Sequence, residues 1–223
     1  VQESQLAPDR GNPATAFRWF NAEFLRWMLS DGPGAVVLEN RPHPSELSLR
    51  VDWVELTSYA GSQPVCMFLG TSDPRGIEPG TTWLTVDTPS DADRDGMLVI
   101  RQDTDLLGEH IVATAAEELR RLIKLGRVDP DLEYRWFMPH ISSYVFKDRV
   151  EAALLDAGLD LPAERWFTNL ATRGNTGAAS IYIMLEEALA AGLFEPGDRI
   201  LAMVPESGRF IMSYMQFTCV APA

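Results

Sequence analysis

Three polar features of the sequence fall where a chain passes from one regular element to the next. His140 follows the apolar run Tyr134-Arg135-Trp136-Phe137-Met138-Pro139. Asn175 lies inside a small polar stretch, Gly174-Asn175-Thr176-Gly177-Ala178-Ala179-Ser180. Glu206, Ser207 and Gly208 divide two apolar runs near the end of the chain. An imidazole and a carboxamide both offer N–H donors to a developing negative charge, and the carboxamide does not titrate. Corners at strand ends are where α/β folds place their sites. His140 and Asn175 are 35 residues apart, the length of one helix and one strand. A unit of that size returns the chain to the same sheet edge, so the two side chains are placed to meet. A lone histidine is also what a satisfied core position looks like, and the residues by themselves leave both readings open. The other two histidines, His43 in Arg-Pro-His-Pro and His110 among charged neighbours, carry no such context. Metal chemistry has no support, because there is no histidine pair at helical spacing and no cysteine pair. A serine nucleophile has none either, since no Gly-x-Ser-x-Gly elbow occurs.

Around these corners the elements alternate. Phe17–Met28 is aromatic-rich and fits either helix or strand. Ala35–Leu38 reads as a buried strand after the turn Ser30-Asp31-Gly32-Pro33-Gly34. Glu46–Thr57 alternates apolar and polar residues, as an antiparallel strand does. Pro64–Asp95 has no clear period and forms a long excursion, and Met97–Arg101 follows as a short strand. Ile111, Ala115, Leu119 and Leu122 set a helix over Thr104–Leu125, stopped by Gly126. Tyr134–Met138 is a strand running into Pro139 and His140. Ser142 or Ser143 caps a helix through Ala157, stopped by Gly158. A short strand over Arg165–Leu170, a helix over Thr176–Ala191, and strands over Arg199–Val204 and Phe210–Val220 complete the chain. The class is α/β.

Composition narrows the partners. The chain has 223 residues, 46% of them hydrophobic, enough for a sizeable core. Its net charge of −13 repels phosphate backbones and argues against nucleic acid. No apolar run reaches the roughly 20 residues of a membrane span. The polar start, Val-Gln-Glu-Ser-Gln, is not a signal peptide, and with two cysteines in apolar surroundings the expected setting is cytoplasmic. The chain does not begin with Met, so a fragment or processed chain is expected.

The order Pro139-His140, Gly174-Asn175-Thr176-Gly177-Ala178-Ala179-Ser180, and Gly197-Asp198 with Leu201 resembles the carboxy-terminal half of 3-oxoacyl-acyl-carrier-protein synthase III and its ketoacyl synthase relatives. Upstream, Ser30-Asp31-Gly32-Pro33-Gly34-Ala35 is similar to that family's glycine-rich turn. The resemblance implies a thiolase fold of two similar halves, layered α-β-α-β-α and paired as a dimer. Residues 96–223 are then the C-terminal half, and residues 1–95 are what remains of the N-terminal half with a variable loop region. It implies a Cys-His-Asn set, with His140 and Asn175 as its last two members. The reaction implied is decarboxylative Claisen condensation of an acyl thioester with a malonyl- or 3-oxoacyl-type thioester, in fatty acid or polyketide and specialised lipid synthesis. The substrates ride on acyl carrier protein or coenzyme A, with no metal or other cofactor. Gly174 and Thr176 border the pantetheine arm, and the Gly208 N–H serves an acyl oxyanion hole.

The sequence departs from the family's pattern at two places. Neither Cys66 nor Cys219 lies at a strand-to-helix elbow, so the nucleophile is expected on a missing or separate N-terminal segment. The family's Gly-Gly-Gly-Phe loop reads Ser207-Gly208-Arg209-Phe210 and is preceded by Glu206, either a solvated loop acid or a residue that tunes an unusual substrate or serves as an extra base. Lys147 and Arg149 are candidates for docking the carrier. Arg120, Arg121, Lys124 and Arg127 form a second basic cluster, and both groups also read as solvated helix faces. Two further readings are an acyltransferase on the same fold that does not decarboxylate, and a non-catalytic partner subunit of a ketosynthase.

Overall fold

The computed structural model describes residues 13–71 and 82–223. One four-stranded sheet, ordered β1-β6-β5-β4, forms its centre. The strands are β1 (Ser48–Ser58), β4 (Trp136–Pro139), β5 (Arg199–Glu206) and β6 (Ile211–Val220). β4 and β5 run parallel, whereas β5–β6 and β6–β1 are antiparallel. β2 (Met67–Phe68) and β3 (Arg101–Gln102) make a separate two-stranded ribbon.

Strand alternation divides the core into two. Leu201 and Met203 of β5, with Met212 and Tyr214 of β6, face α3 (Thr104–Lys124) and α4 (Lys147–Asp156). Ile200, Ala202 and Val204, with Phe217 and Cys219, face α6 (Ser180–Ala190). The sheet thus lies between two helical layers, three of the layers expected for a thiolase fold. α3 forms where its apolar period placed it. Asp103 caps its first turn by accepting from the Leu106 N–H at 2.9 Å, and Gly126 takes φ 68° just past its end. Ser143 caps a single 3₁₀ turn that leads into α4, and Gly158 closes that unit at φ 91°. No helix among the described residues is long and apolar enough to cross a membrane.

Several expectations change. Phe17–Met28 is helical, within α1 (Pro13–Met28). Ala35–Leu38 is not a strand: Val36, Val37 and Leu38 are exposed, and the segment adds to neither edge of the sheet. Met97–Arg101 contributes only its last residue to β3. The excursion over Pro64–Asp95 carries β2 and a short α2 (Pro89–Arg94). Arg165–Leu170 makes one bridge, Phe137 to Trp166, because a 3₁₀ turn takes Ala163–Arg165 and α5 (Leu170–Arg173) starts at once. That bridge is held by the Trp166 ring, which packs edge-on to Phe137 and donates its N–H to the Leu161 carbonyl at 2.8 Å. β1 pairs along its whole length with β6.

Candidate active site

β4 ends at Pro139, opposite Met203 of β5. The His140 N–H then donates to the Met203 carbonyl at 2.7 Å, which pins the histidine at the carboxyl end of the parallel pair. Its side chain is buried, and its ring makes no hydrogen bond to any described residue. Burial lowers its pKa from 6.5 to about 4. At neutral pH it is therefore an uncharged imidazole with one N–H donor.

Asn175 is held from both sides. Before it, Gly174 closes α5 at φ 75°, a conformation glycine adopts without penalty. A Cβ at that position would overlap the Ser30 side chain. The Asn175 carbonyl accepts from the Ser30 N–H at 2.8 Å, and Leu29 bridges to Asn175. The turn beginning at Ser30 is thereby stitched to the polar stretch. Gly174→Ala is expected to lower stability by about 2 kcal/mol, read as a shift of the urea midpoint, from positive φ and crowding together. After Asn175, the Gly177 N–H donates to its Oδ1 at 3.3 Å. That bond sets the orientation of the amide and leaves Nδ2 without a partner among the described residues. A 3₁₀ turn over Gly177–Ala179 follows and leads into α6, later than the expected start at Thr176. α6 leads back to the start of β5, so its own start lies at the carboxyl end of β5, the end that carries His140. His140 and Asn175 thus share one end of the sheet, each with a donor unspent.

The third corner, also at that end, differs from expectation. Glu206 ends β5, and its Oε1 accepts the Gly208 N–H at 2.5 Å while Oε2 accepts the Arg209 N–H at 3.3 Å. The Gly208 donor is therefore engaged by the chain's own carboxylate rather than open. Phe210, fully buried, takes φ 53°, the one positive φ outside glycine among the described residues. Thr176 lines an open groove of about 440 Å³ with Asp31, Gly32, Arg173, Tyr182 and Glu186, which does not include His140.

The basic candidates separate. Arg149 is exposed, but it donates to the Gly108 carbonyl at 2.5 Å and its guanidinium stacks 5.7 Å over Phe146. Lys147 sits half-buried at the start of α4. The second cluster is largely spent on acids: Arg120 pairs with Asp156, Arg121 with Glu118 at 2.7 Å, and Arg127 with Glu55 at 3.0 Å. Both cysteines are buried, and burial pushes each thiol up to about 12. Neither supplies a thiolate at neutral pH. Two features had no signal in the sequence. The Cys66 N–H holds the Gly208 carbonyl at 3.0 Å, and the Ser180 hydroxyl, at the start of α6, is buried without a partner among the described residues.

Residues 132–213, which span all three corners, match the family described as 3-oxoacyl-[acyl-carrier-protein] synthase III C terminal. The chain is ketoacyl synthase III-like over this part, on a thiolase fold. Beta-ketoacyl-[acyl-carrier-protein] synthase III of Trichodesmium erythraeum is 30% identical over 189 residues, 83% of this chain and 51% of that protein. Beta-ketoacyl-[acyl-carrier-protein] synthase III 2 of Deinococcus radiodurans is 40% identical over 87 residues, 39% of this chain and 23% of that protein. The crystal structure of the synthase III from Thermus thermophilus superposes with a TM-score of 0.53 at 21% identity, covering 78% of this chain and 47% of that one. The ketoacyl synthase III-like chain spans about half, or less, of the length of the relatives it matches.

Proposed function

We propose that this chain supplies the decarboxylating half of a condensing site. The observation that carries the reading is the pair of unspent donors, on neutral His140 and on Asn175, at one end of the sheet. A malonyl-type thioester bound there loses its carboxylate: the C–CO₂ bond breaks, CO₂ leaves, and the electron pair moves into an enolate. Its negative charge rests on the thioester oxygen, where two fixed N–H donors stabilise it without transferring a proton. The enolate carbon then attacks an acyl thioester, expelling its thiolate, and the product is a 3-oxoacyl thioester two carbons longer.

The acyl-bearing thiol in this reading lies on a segment other than these 223 residues, because Cys66 and Cys219 are buried and held protonated. A dimer or heteromer brings the two together. The acyl group arrives on acyl carrier protein or coenzyme A, with Lys147 the basic residue best placed to meet an acidic carrier and Gly174 and Thr176 beside the pantetheine arm. In this scheme Arg149 contributes only its charge, since part of its donor set already holds Gly108.

Mass analysis of products formed with the thiol-bearing segment tests the reading. Given an acyl thioester and a malonyl thioester, a gain of two carbons is expected. Acyl transfer with no added carbons would replace condensation by simple acyltransfer. Condensation by the thiol-bearing segment at the same rate without this chain would make this chain a supporting subunit.

A further inference from the structure

The corner between β5 and β6 is built around a carboxylate. Two successive main-chain N–H groups, of Gly208 and Arg209, converge on the two oxygens of Glu206. Consecutive amides arranged in this way form an anion-binding concavity. Here the anion is the chain's own. A Cβ on Gly208 would come within 2.7 Å of Glu206 Oε1, so the carboxylate lies directly against the glycine.

The turn is also anchored by bonds that do not involve Glu206. Ser207 Oγ accepts from Gln102 Nε2 at 3.2 Å, and the Gly208 carbonyl accepts from the Cys66 N–H at 3.0 Å. Arg209 Nη2 donates to the Ala60 carbonyl at 3.1 Å, and the Phe210 carbonyl accepts from the Tyr59 N–H at 2.9 Å. These four bonds come from the β1–β2 connection and from β3, and they hold a strained residue, Phe210, in place. Glu206 itself is exposed, so rotating its side chain away returns the carboxylate to water at little cost. A rigid pair of donors with a removable resident is the arrangement of an exchangeable ligand site.

We propose that Glu206 is an internal ligand. Its carboxylate fills the anion nest of Gly208 and Arg209 in the free chain and gives way to an external oxygen anion. Under the function proposed above, on which this assignment of the ligand rests, that anion is the oxygen of an acyl thioester as its carbonyl is attacked. Glu206 then closes the nest between turnovers, and every incoming anion competes with it.

The test uses the 223-residue chain and formate as the probe, followed through the ¹H–¹⁵N signals of Gly208 and Arg209. In Glu206→Ala both amides are expected to move upfield and to exchange with solvent about tenfold faster, the loss of a charge-assisted bond. Sodium formate should restore both signals saturably in that variant, while an equal concentration of sodium chloride does not. The wild-type chain should respond to formate only at higher concentration, because Glu206 competes for the same two amides, and no response at any concentration would mean that the carboxylate does not exchange. Glu206→Gln keeps the side-chain volume without the charge, and should give intermediate signals that formate also restores. It carries the test if the alanine variant does not fold. Unchanged amides in the variants, or amides that change and ignore formate, would overturn the proposal. No condensation enters this measurement, so a chain that responds to formate yet yields no two-carbon product would lose the function reading and keep the nest.

Discussion

His140→Ala, assembled with the thiol-bearing segment, is expected to slow loss of CO₂ from a malonyl thioester by at least about 100-fold, the usual cost of removing one oxyanion donor. Acylation of the thiol should persist, because that step does not use an enolate. A competition between the two steps, followed by CO₂ release and by intact mass of the acylated segment, separates them. If CO₂ release continued at the wild-type rate, His140 would not be a donor to the enolate oxygen. The pH dependence sharpens the case. With a pKa of about 4, the ring stays neutral from pH 8 down to pH 5, and over that range its contribution to rate should be flat. Protonation near pH 4 would give an imidazolium able to quench the enolate by proton transfer, so the rate should fall there and not near 6.5.

The same burial makes a prediction about stability. The folded pKa lies below the unfolded value, so the unfolded chain binds the extra proton first. The stabilisation is complete above pH 6.5, declines as pH falls below that value, and is fully lost once pH has fallen through 4. By pH 5 the loss from this group should be about 2 kcal/mol, visible as a lower urea midpoint. His140→Gln should lack that part of the slope, and an unchanged slope would place the ring in contact with water.

Much of this arrangement was legible in the residues, and the exceptions have definite causes. The helix α3 and the hairpin β5–β6 follow their apolar periods because each period matches a core face, Leu201 and Met203 on one side, Ile200 and Ala202 on the other. Ala35–Leu38 has the composition of a buried strand, but composition cannot supply a ladder, and none of the described strands pairs with it. The histidine and asparagine corners were readable because each interrupts an apolar pattern. The state of the Gly208 donor was not readable, since a side chain folding back over its own turn leaves no spacing signal. The pairing of the basic cluster was unreadable for a related reason. Its acidic partners, Glu55 and Asp156, are remote in sequence and adjacent only in the fold.

One further cluster ties stability to the site. Glu118 is a fully buried carboxylate on α3. It accepts from Thr57 Oγ1 at 2.8 Å, from Tyr59 Oη at 3.0 Å, and from Arg121 at 2.7 and 2.9 Å. Burial alone would raise its pKa, but bonds from Arg121, Thr57 and Tyr59 outweigh it and hold the carboxyl below its ordinary 4.5. Arg121 is 40% exposed, so the ion pair itself contributes little after solvent screening. The larger cost of losing Glu118 is that the Thr57 and Tyr59 hydroxyls lose their acceptor, whereas Arg121 still has Thr57 Oγ1 and Glu55 within reach. Glu118→Ala is therefore expected to destabilise by about 3 kcal/mol, and Glu118→Gln, which retains an acceptor, by clearly less. Equal losses in the two variants would assign the effect to charge rather than to unsatisfied donors. The stabilisation from Glu118 is present above the unfolded carboxyl pKa and is lost as pH falls through the lower folded value, a window below that of His140. Tyr59 carries the consequence onward. Its hydroxyl is held by Glu118 and its N–H holds the Phe210 carbonyl, so this one residue joins the buried acid to the strained turn. In Glu118→Ala the Phe210 and Gly208 amides should lose protection against exchange before the core of the sheet does. In Glu118→Gln they should remain protected, which separates a loosened turn from general unfolding.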